Sequence, residues 1–268
     1  MTYRLRFILP GLIIFNSCTH SPYGSTNKSY KKQAKVYGKV LARYPVEDSV
    51  NNASSFIGTV NFNMRKPNFV IIHHTAQNSC DQTLKTFTTV KSQVSAHYVI
   101  CKDGTVHHML NDYLRAWQAG VSKWGNNTDI NSSSIGIELD NNGFEPFTDP
   151  QINSLMELLG RVKNAYNIPV AKFIGHADIA PGRKVDPNKY FPWQKLSELG
   201  FGNWYDTMAL QVPPDFNAIQ ALRIIGYDIK NPETAIQSFK LHFVSTDSTK
   251  VITDADKKIL SSLVSKYQ

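Results

Sequence analysis

Apolar and polar positions follow two different periods along the middle of the chain. Residues 69–72 (Phe-Val-Ile-Ile) form a β-branched apolar run of strand length that stops at His73, His74 and Thr75. Residues 81–94 carry Leu84, Phe87, Val90 and Val94 at helix-compatible spacing. Residues 96–101 read as a strand, Lys102-Asp103-Gly104 as a turn, and residues 105–110 as the returning strand. In residues 134–139, Ile135, Ile137 and Leu139 alternate with Gly136 and Glu138, which is strand periodicity. Asp149-Pro150 reads as an N-cap followed by proline at the first helical position, and Ile152, Leu155, Met156, Leu159 and Val162 continue a helical stripe. Residues 170–174 form another strand, ending at His176. The alternation predicts an α/β fold, a mixed β-sheet flanked by helices.

The texture changes after residue 200. Pro213-Pro214 marks a linker, and Ala218, Leu222 and Ile225, then Ala235, Ile236, Phe239 and Phe243, then residues 252–263, give amphipathic helices. The expectation is a small all-α C-terminal domain over residues 207–268, near the lower size limit for an independent core, behind a main domain over residues 53–206.

Charge and composition narrow the classes. The 268 residues are 41% hydrophobic and 19% charged, ordinary globular usage that excludes a collagen-like, coiled-coil or wholly disordered chain. The one apolar run, near the N-terminus, is too short to span a bilayer comfortably, which excludes a polytopic membrane protein. Lys plus Arg is 29 against 21 for Asp plus Glu, a formal charge of +8 that favours anionic partners without choosing among them. The chain has no phosphate-loop glycine pattern, CxxC pair or internal repeat, so nucleotide-binding enzymes are not leading readings, and no nucleic-acid partner is expected.

The N-terminus sets the compartment. Arg4 and Arg6 precede an apolar stretch over residues 7–15, the arrangement of a secretory signal. Asn16-Ser17-Cys18 then resembles the end of a bacterial lipoprotein signal, with residues 1–17 removed and Cys18 lipidated. Thr19 after that cysteine is associated with sorting to the outer membrane. Residues 18–52 are polar, basic and turn-rich and read as a flexible tether. An oxidising compartment permits a Cys80–Cys101 disulfide, but spacing alone leaves two independent buried thiols equally open.

Three strand ends deliver ionisable groups: His73, Glu138 and His176. Two distant histidines and a carboxylate suit zinc with an open fourth position, where bound water becomes acidic. By chemistry alone the third ligand is Asp178, Asp186 or Glu138. Each signal has a bland alternative: Glu138 as the solvated side of an edge strand, Lys184 as a surface charge, His107 and His108 as non-ligands on a hairpin.

Together the blocks are specific. Val70-Ile71-Ile72-His73-His74-Thr75-Ala76, Ser95-Ala96-His97-Tyr98-Val99, Ala116-Trp117-Gln118-Ala119-Gly120, residues 134–141 (SIGIELDN) and residues 175–187 (GHADIAPGRKVDP) occur in one order. In this the chain resembles the type 2 family of zinc-dependent N-acetylmuramoyl-L-alanine amidases, whose fold is shared with peptidoglycan recognition proteins. The lipoprotein signal and helical tail resemble the members of that family anchored in the outer membrane and facing the periplasm of Gram-negative bacteria. The resemblance implies one Zn2+ per chain held by His73, His176 and Asp186, Glu138 as general base and Lys184 stabilising the oxyanion. It implies hydrolysis of the amide between N-acetylmuramic acid, or its 1,6-anhydro form, and L-alanine of the stem peptide. The implied partners are peptidoglycan and muropeptides, with the tail as a peptidoglycan-binding domain. His97, Trp117 and Gln118 match blocks that contact substrate, although the family often has histidine where this chain has Gln118. His74, on the opposite strand face, is not expected to bind metal. Rival readings are a non-catalytic peptidoglycan receptor and a zinc peptidase cutting within the stem.

Overall fold

The computed structural model describes residues 22–42, 59, 61–207 and 212–267, and the chain divides into two compact units, Met1–Val60 and Asn61–Gln268. The signal reading and Cys18 lie outside the described residues. In the first unit, the segment expected to be a flexible tether contains a helix, α1 (Gly24–Leu41), none of whose residues is buried. Its lysines, Gln33, Ala34 and Leu41 are good helix formers and it has no proline, so local propensity favours the helix despite Gly38. Among the described residues no helix is long and apolar enough to cross a membrane.

The second unit is built on a five-stranded mixed sheet of β1 (Phe69–His74), β2 (Tyr98–Ile100), β3 (Val106–His108), β4 (Ser134–Leu139) and β5 (Phe173–Gly175). The order is β3-β2-β4-β1-β5, with β1 parallel to β4 and β5, β2 parallel to β4, and β3 antiparallel to β2. β1 lies between two strands and is buried throughout, so its sequence is a continuous apolar run.

Strand periodicity divides the side chains between two faces. Val70, Ile72, Ile135 and Ile137 pack with Leu155 and Leu159 of α4 (Asp149–Tyr166). Phe69, Ile71 and Ile174 join the other core, with Leu222 of α7 (Ala218–Ile225), Phe239 of α8 (Pro232–Phe243) and Leu263 of α9 (Asp254–Tyr267). The C-terminal helices therefore share a core with the sheet. A segment too small to bury its own apolar faces obtains that cover from Phe69, Ile71 and Ile174.

Boundaries differ from the sequence reading where local hydrogen bonds intervene. Helix α2 (Cys80–Phe87) stops before Val90, because the hydroxyls of Thr88 and Thr89 bond back to the carbonyls of Leu84 and Lys85 at 2.8 and 2.6 Å. Val90 sits in a short 3₁₀ turn and is 91% exposed, so it does not extend the apolar stripe. The N-cap of α4 is Thr148, whose hydroxyl accepts from Gln151 N, placing Asp149 first and Pro150 second in the helix. Residues 170–172 form a 3₁₀ turn, so β5 begins only at Phe173. Cys80 and Cys101 are joined by a disulfide with Cα atoms 5.4 Å apart, tying the start of α2 to the end of β2.

Candidate active site

Parallel pairing places His73 at the end of β1 directly beside Glu138 of β4. On the other side of β1, Ile72 pairs with Gly175, the last residue of β5, and His176 opens helix α5 (His176–Ile179). The third group arrives on the loop after α5. Ala177 N–H donates to the Asp186 carbonyl at 2.8 Å, which holds that loop against the helix. Gly175 permits this approach, since a Cβ there would lie 2.9 Å from Pro187 Cδ.

Three donor atoms meet there. His73 Nδ1 and His176 Nδ1 are 2.9 Å apart, and each lies close to Asp186 Oδ2, at 3.0 and 3.1 Å. All three residues are buried. The far ring nitrogens are engaged: His176 Nε2–H donates to the Ala119 carbonyl at 3.1 Å, and His73 Nε2–H donates to Gln118 Oε1 at 2.5 Å. Those bonds leave both Nδ1 lone pairs facing each other and a carboxylate. Two lone pairs and a negative charge in a buried space call for a cation, and a His-His-Asp set suits zinc. These three residues could hold the metal.

The electrostatics are split in a useful way. Burial pushes the Glu138 carboxyl up to about 7, against the opposing charges of His73 and Lys184, and its Oε2 is buried without a hydrogen-bond partner among the described residues. Burial alone would raise Asp186 too, but the neighbouring His176 and His73 rings hold it well below the usual carboxylate range. Burial lowers His176 to about 4, which keeps its ring neutral and able to donate a lone pair. A carboxyl near neutrality next to a metal-type donor set can take and return a proton at neutral pH. Lys184, half-buried on the same loop, supplies positive charge near Glu138.

The remaining sequence candidates separate. Trp117 is 54% exposed, and its indole is free to stack on a ligand. Gln118, read as a substrate contact, is buried, and its amide bridges His73 to Ser134 Oγ, the latter at 2.7 Å. Gly136 makes room for it, as a Cβ there would fall 2.6 Å from Gln118 Cγ. His97 corrects a second expected substrate contact. It is fully buried, with Nδ1 accepting from Gly136 N and Nε2–H donating to the Leu114 carbonyl, both at 3.0 Å. Its ring fastens β4 to the 110–114 loop and has no free polar edge. His74 is buried beside Gly143, apart from the three donors. His107 lies near Cys80 and Cys101, but those sulfurs are bonded to each other.

Asp178, one of three carboxylates left open by spacing, faces elsewhere. Its Oδ2 accepts from Gly175 N and His242 Nδ1, both at 2.7 Å, and its Oδ1 accepts from Tyr227 OH at 2.8 Å. Sequence reasoning missed two supports altogether. Asn131 Oδ1 accepts from the backbone of Gln118 and Ala119 at 3.1 and 2.9 Å. Arg183, read as part of a basic surface turn, donates to the carbonyls of Ala119 and Val121 at 2.6 and 2.7 Å. No local pattern marks either one, since they reach the loop at residues 118–121 from 12 to 13 and from 62 to 64 residues away.

A mixed sheet that delivers a buried donor triad and a raised carboxyl to one edge defines a hydrolase-type site. The family model described as N-acetylmuramoyl-L-alanine amidase matches residues 63–189. The amidase AmiD of Escherichia coli is 33% identical over 230 residues, covering 74% of this chain and 82% of AmiD. Its solved complex with the substrate anhydro-N-acetylmuramic acid-L-Ala-D-gamma-Glu-L-Lys superposes with a TM-score of 0.69 at 29% identity, covering 78% of this chain and 93% of that one. AmpDh3 of Pseudomonas aeruginosa gives a TM-score of 0.70 at 28% identity, over 83% of this chain and 99% of AmpDh3. The 1,6-anhydro-N-acetylmuramyl-L-alanine amidase AmpD of Haemophilus influenzae is 41% identical over 104 residues, which span 38% of this chain and 56% of that relative. The chain belongs to the N-acetylmuramoyl-L-alanine amidase family, and it is an amidase of peptidoglycan turnover.

Proposed function

We propose that the chain is a zinc amidase that cleaves the bond between the lactyl group of N-acetylmuramic acid, or its 1,6-anhydro form, and L-alanine of the stem peptide. The observation that carries the reading is the meeting of His73 Nδ1, His176 Nδ1 and Asp186 Oδ2 within 3.1 Å of one another, beside Glu138. These three residues would hold one zinc ion, which when bound supplies Lewis-acid polarisation of the amide carbonyl and acidifies a water. Glu138 takes the proton of the attacking water and returns it to the leaving amine of L-alanine. Lys184 places its ammonium where the carbonyl oxygen gains negative charge. Gln118 and the Ala119 carbonyl fix the ring orientation of the two histidines. Trp117 offers an exposed face to the sugar or the first stem residues.

The same reading makes residues 1–17 a lipoprotein signal, lipidates Cys18 and anchors the enzyme in the outer membrane facing the periplasm. The Cys80–Cys101 disulfide supports an oxidising compartment. Residues 207–268 would hold peptidoglycan close to the site, raising its local concentration.

The test is mass spectrometry of purified muropeptides, reducing and anhydro, incubated with residues 19–268, with and without a chelator. Release of stem peptide beginning at L-alanine, lost on chelation and restored by zinc, is the expected result. Cleavage inside the stem would move the chemistry to a peptidase. Intact muropeptides with zinc bound would leave a receptor.

A further inference from the structure

Helix α1 is unlike every other helix described in the protein in carrying its charge as one stripe. Lys28, Lys31, Lys32, Lys35 and Lys39 recur at i, i+3, i+4, i+7 and i+11, and the helix contains no Asp or Glu. At 3.6 residues per turn these five positions fall within an arc of about 100°. Tyr30, Tyr37, Val40 and Leu41 lie on the opposite side, 38%, 48%, 53% and 74% exposed. The five ammonium groups account for most of the formal charge of +8 on the whole chain. Like charges at i, i+4 repel along a helix, so such a stripe destabilises α1 in water unless an anionic surface lies against it.

We propose that α1 is a docking surface for a bilayer containing anionic phospholipid, lying in the plane of the headgroups with its lysines on the phosphates. Two features of the helix favour lipid over an acidic glycan or peptide. A polyanion would satisfy the lysines but leave Tyr30, Tyr37, Val40 and Leu41 in water. A bilayer interface accepts both, with the aromatic and aliphatic groups entering the acyl boundary and the lysine stems reaching out to the headgroups. Position also favours it. Five residues separate Gly24 from Cys18, a span of at most about 22 Å, so a lipid on Cys18 would hold α1 at the bilayer surface. One lipid chain or one basic patch alone binds reversibly, whereas the two together are additive. The inference does not depend on lipidation, because α1 contains the whole of the surface it invokes.

The test uses residues 19–268, which lack any lipid, with vesicles of phosphatidylcholine alone or with about a third phosphatidylglycerol. Co-sedimentation should appear only with the anionic vesicles and should fall steeply between 50 and about 300 mM salt. Each Lys→Gln substitution among the five should weaken binding about fivefold, and the combined variant should not bind. Tyr37→Ser with Leu41→Ser should weaken binding while leaving its salt dependence in place. Muropeptide hydrolysis, measured on the same samples, should be unchanged by every one of these substitutions, which separates failure of this proposal from failure of the amidase reading. No binding to anionic vesicles, binding that the five-lysine variant retains, or lysine-dependent binding to isolated peptidoglycan but not to vesicles would each overturn it.

Discussion

His242 of α8 donates from Nδ1 to Asp178 Oδ2 at 2.7 Å, so a helix near the C-terminus holds the residue two places beyond the candidate ligand His176. The ring is stacked on Trp193 at 3.9 Å and on Phe243 at 4.1 Å, and Tyr227 completes the grip through Asp178 Oδ1. Helix α5 has only four residues and little stability of its own, so its position depends on this anchorage. His242→Ala leaves a buried carboxylate short of a donor and should cost about 3 kcal/mol of unfolding free energy in urea. It should also weaken zinc binding, measured by competition with a chelating dye, because α5 carries His176. Tyr227→Phe should cost about 1 kcal/mol. A His242→Ala protein that is destabilised yet binds zinc as before would make the anchorage structural only.

Glu138 carries the proton transfer in the proposed reaction. Glu138→Gln keeps the side-chain shape and removes the base, so muropeptide turnover should fall by about a hundred- to ten-thousand-fold. Zinc content, read by atomic absorption on the same sample, should remain at one per chain, since none of the three donor atoms is touched. Loss of zinc would instead make Glu138 a ligand, one of the choices that sequence spacing leaves open.

Gln118 distinguishes two roles. The sequence reading makes it a substrate contact, whereas the structure puts its amide oxygen on His73 Nε2. If it orients the ring, Gln118→Ala should weaken zinc affinity by about 10- to 100-fold, with activity restored by added zinc. If it touches substrate instead, zinc affinity should hold while KM rises.

The legible part of this protein is the part governed by short-range pattern. The β1 run and the alternation in β4 reveal strands, and a parallel sheet brings strand ends together, so His73, Glu138 and His176 could be singled out from the chain alone. Asp186 could not, because a loop carries it, and only the family likeness preferred it over Asp178. The supports are less visible still: Gln118 is 45 residues from His73, and His242 is 64 from Asp178. Nothing local encodes such pairs. Amphipathic C-terminal helices were readable, but not that their apolar side would close onto Phe69, Ile71 and Ile174. Helix α1 inside the expected tether was missed for a different reason: composition suggested flexibility, while the lysines of α1 repeat with helical period.

His97 should make folding stability depend on pH. Burial lowers its pKa from the ordinary 6.5 to about 4, and the Arg65 charge acts the same way, against the bond to the Leu114 carbonyl; Nδ1 accepts from Gly136 N only when the ring is neutral. The unfolded chain binds a proton near pH 6.5, and the folded chain resists until about 4. The contribution of the neutral ring is therefore complete above pH 6.5 and is lost as pH falls toward 4, by about 1.4 kcal/mol per unit and about 3 kcal/mol in all. Other groups titrate in the same range, so the test is a difference. Urea unfolding at pH 7 and pH 5 should show a steeper loss for the wild type than for His97→Gln, which cannot titrate. The two slopes differ by about 2 kcal/mol over that interval if burial sets the pKa of His97. Parallel slopes would mean that water reaches the ring.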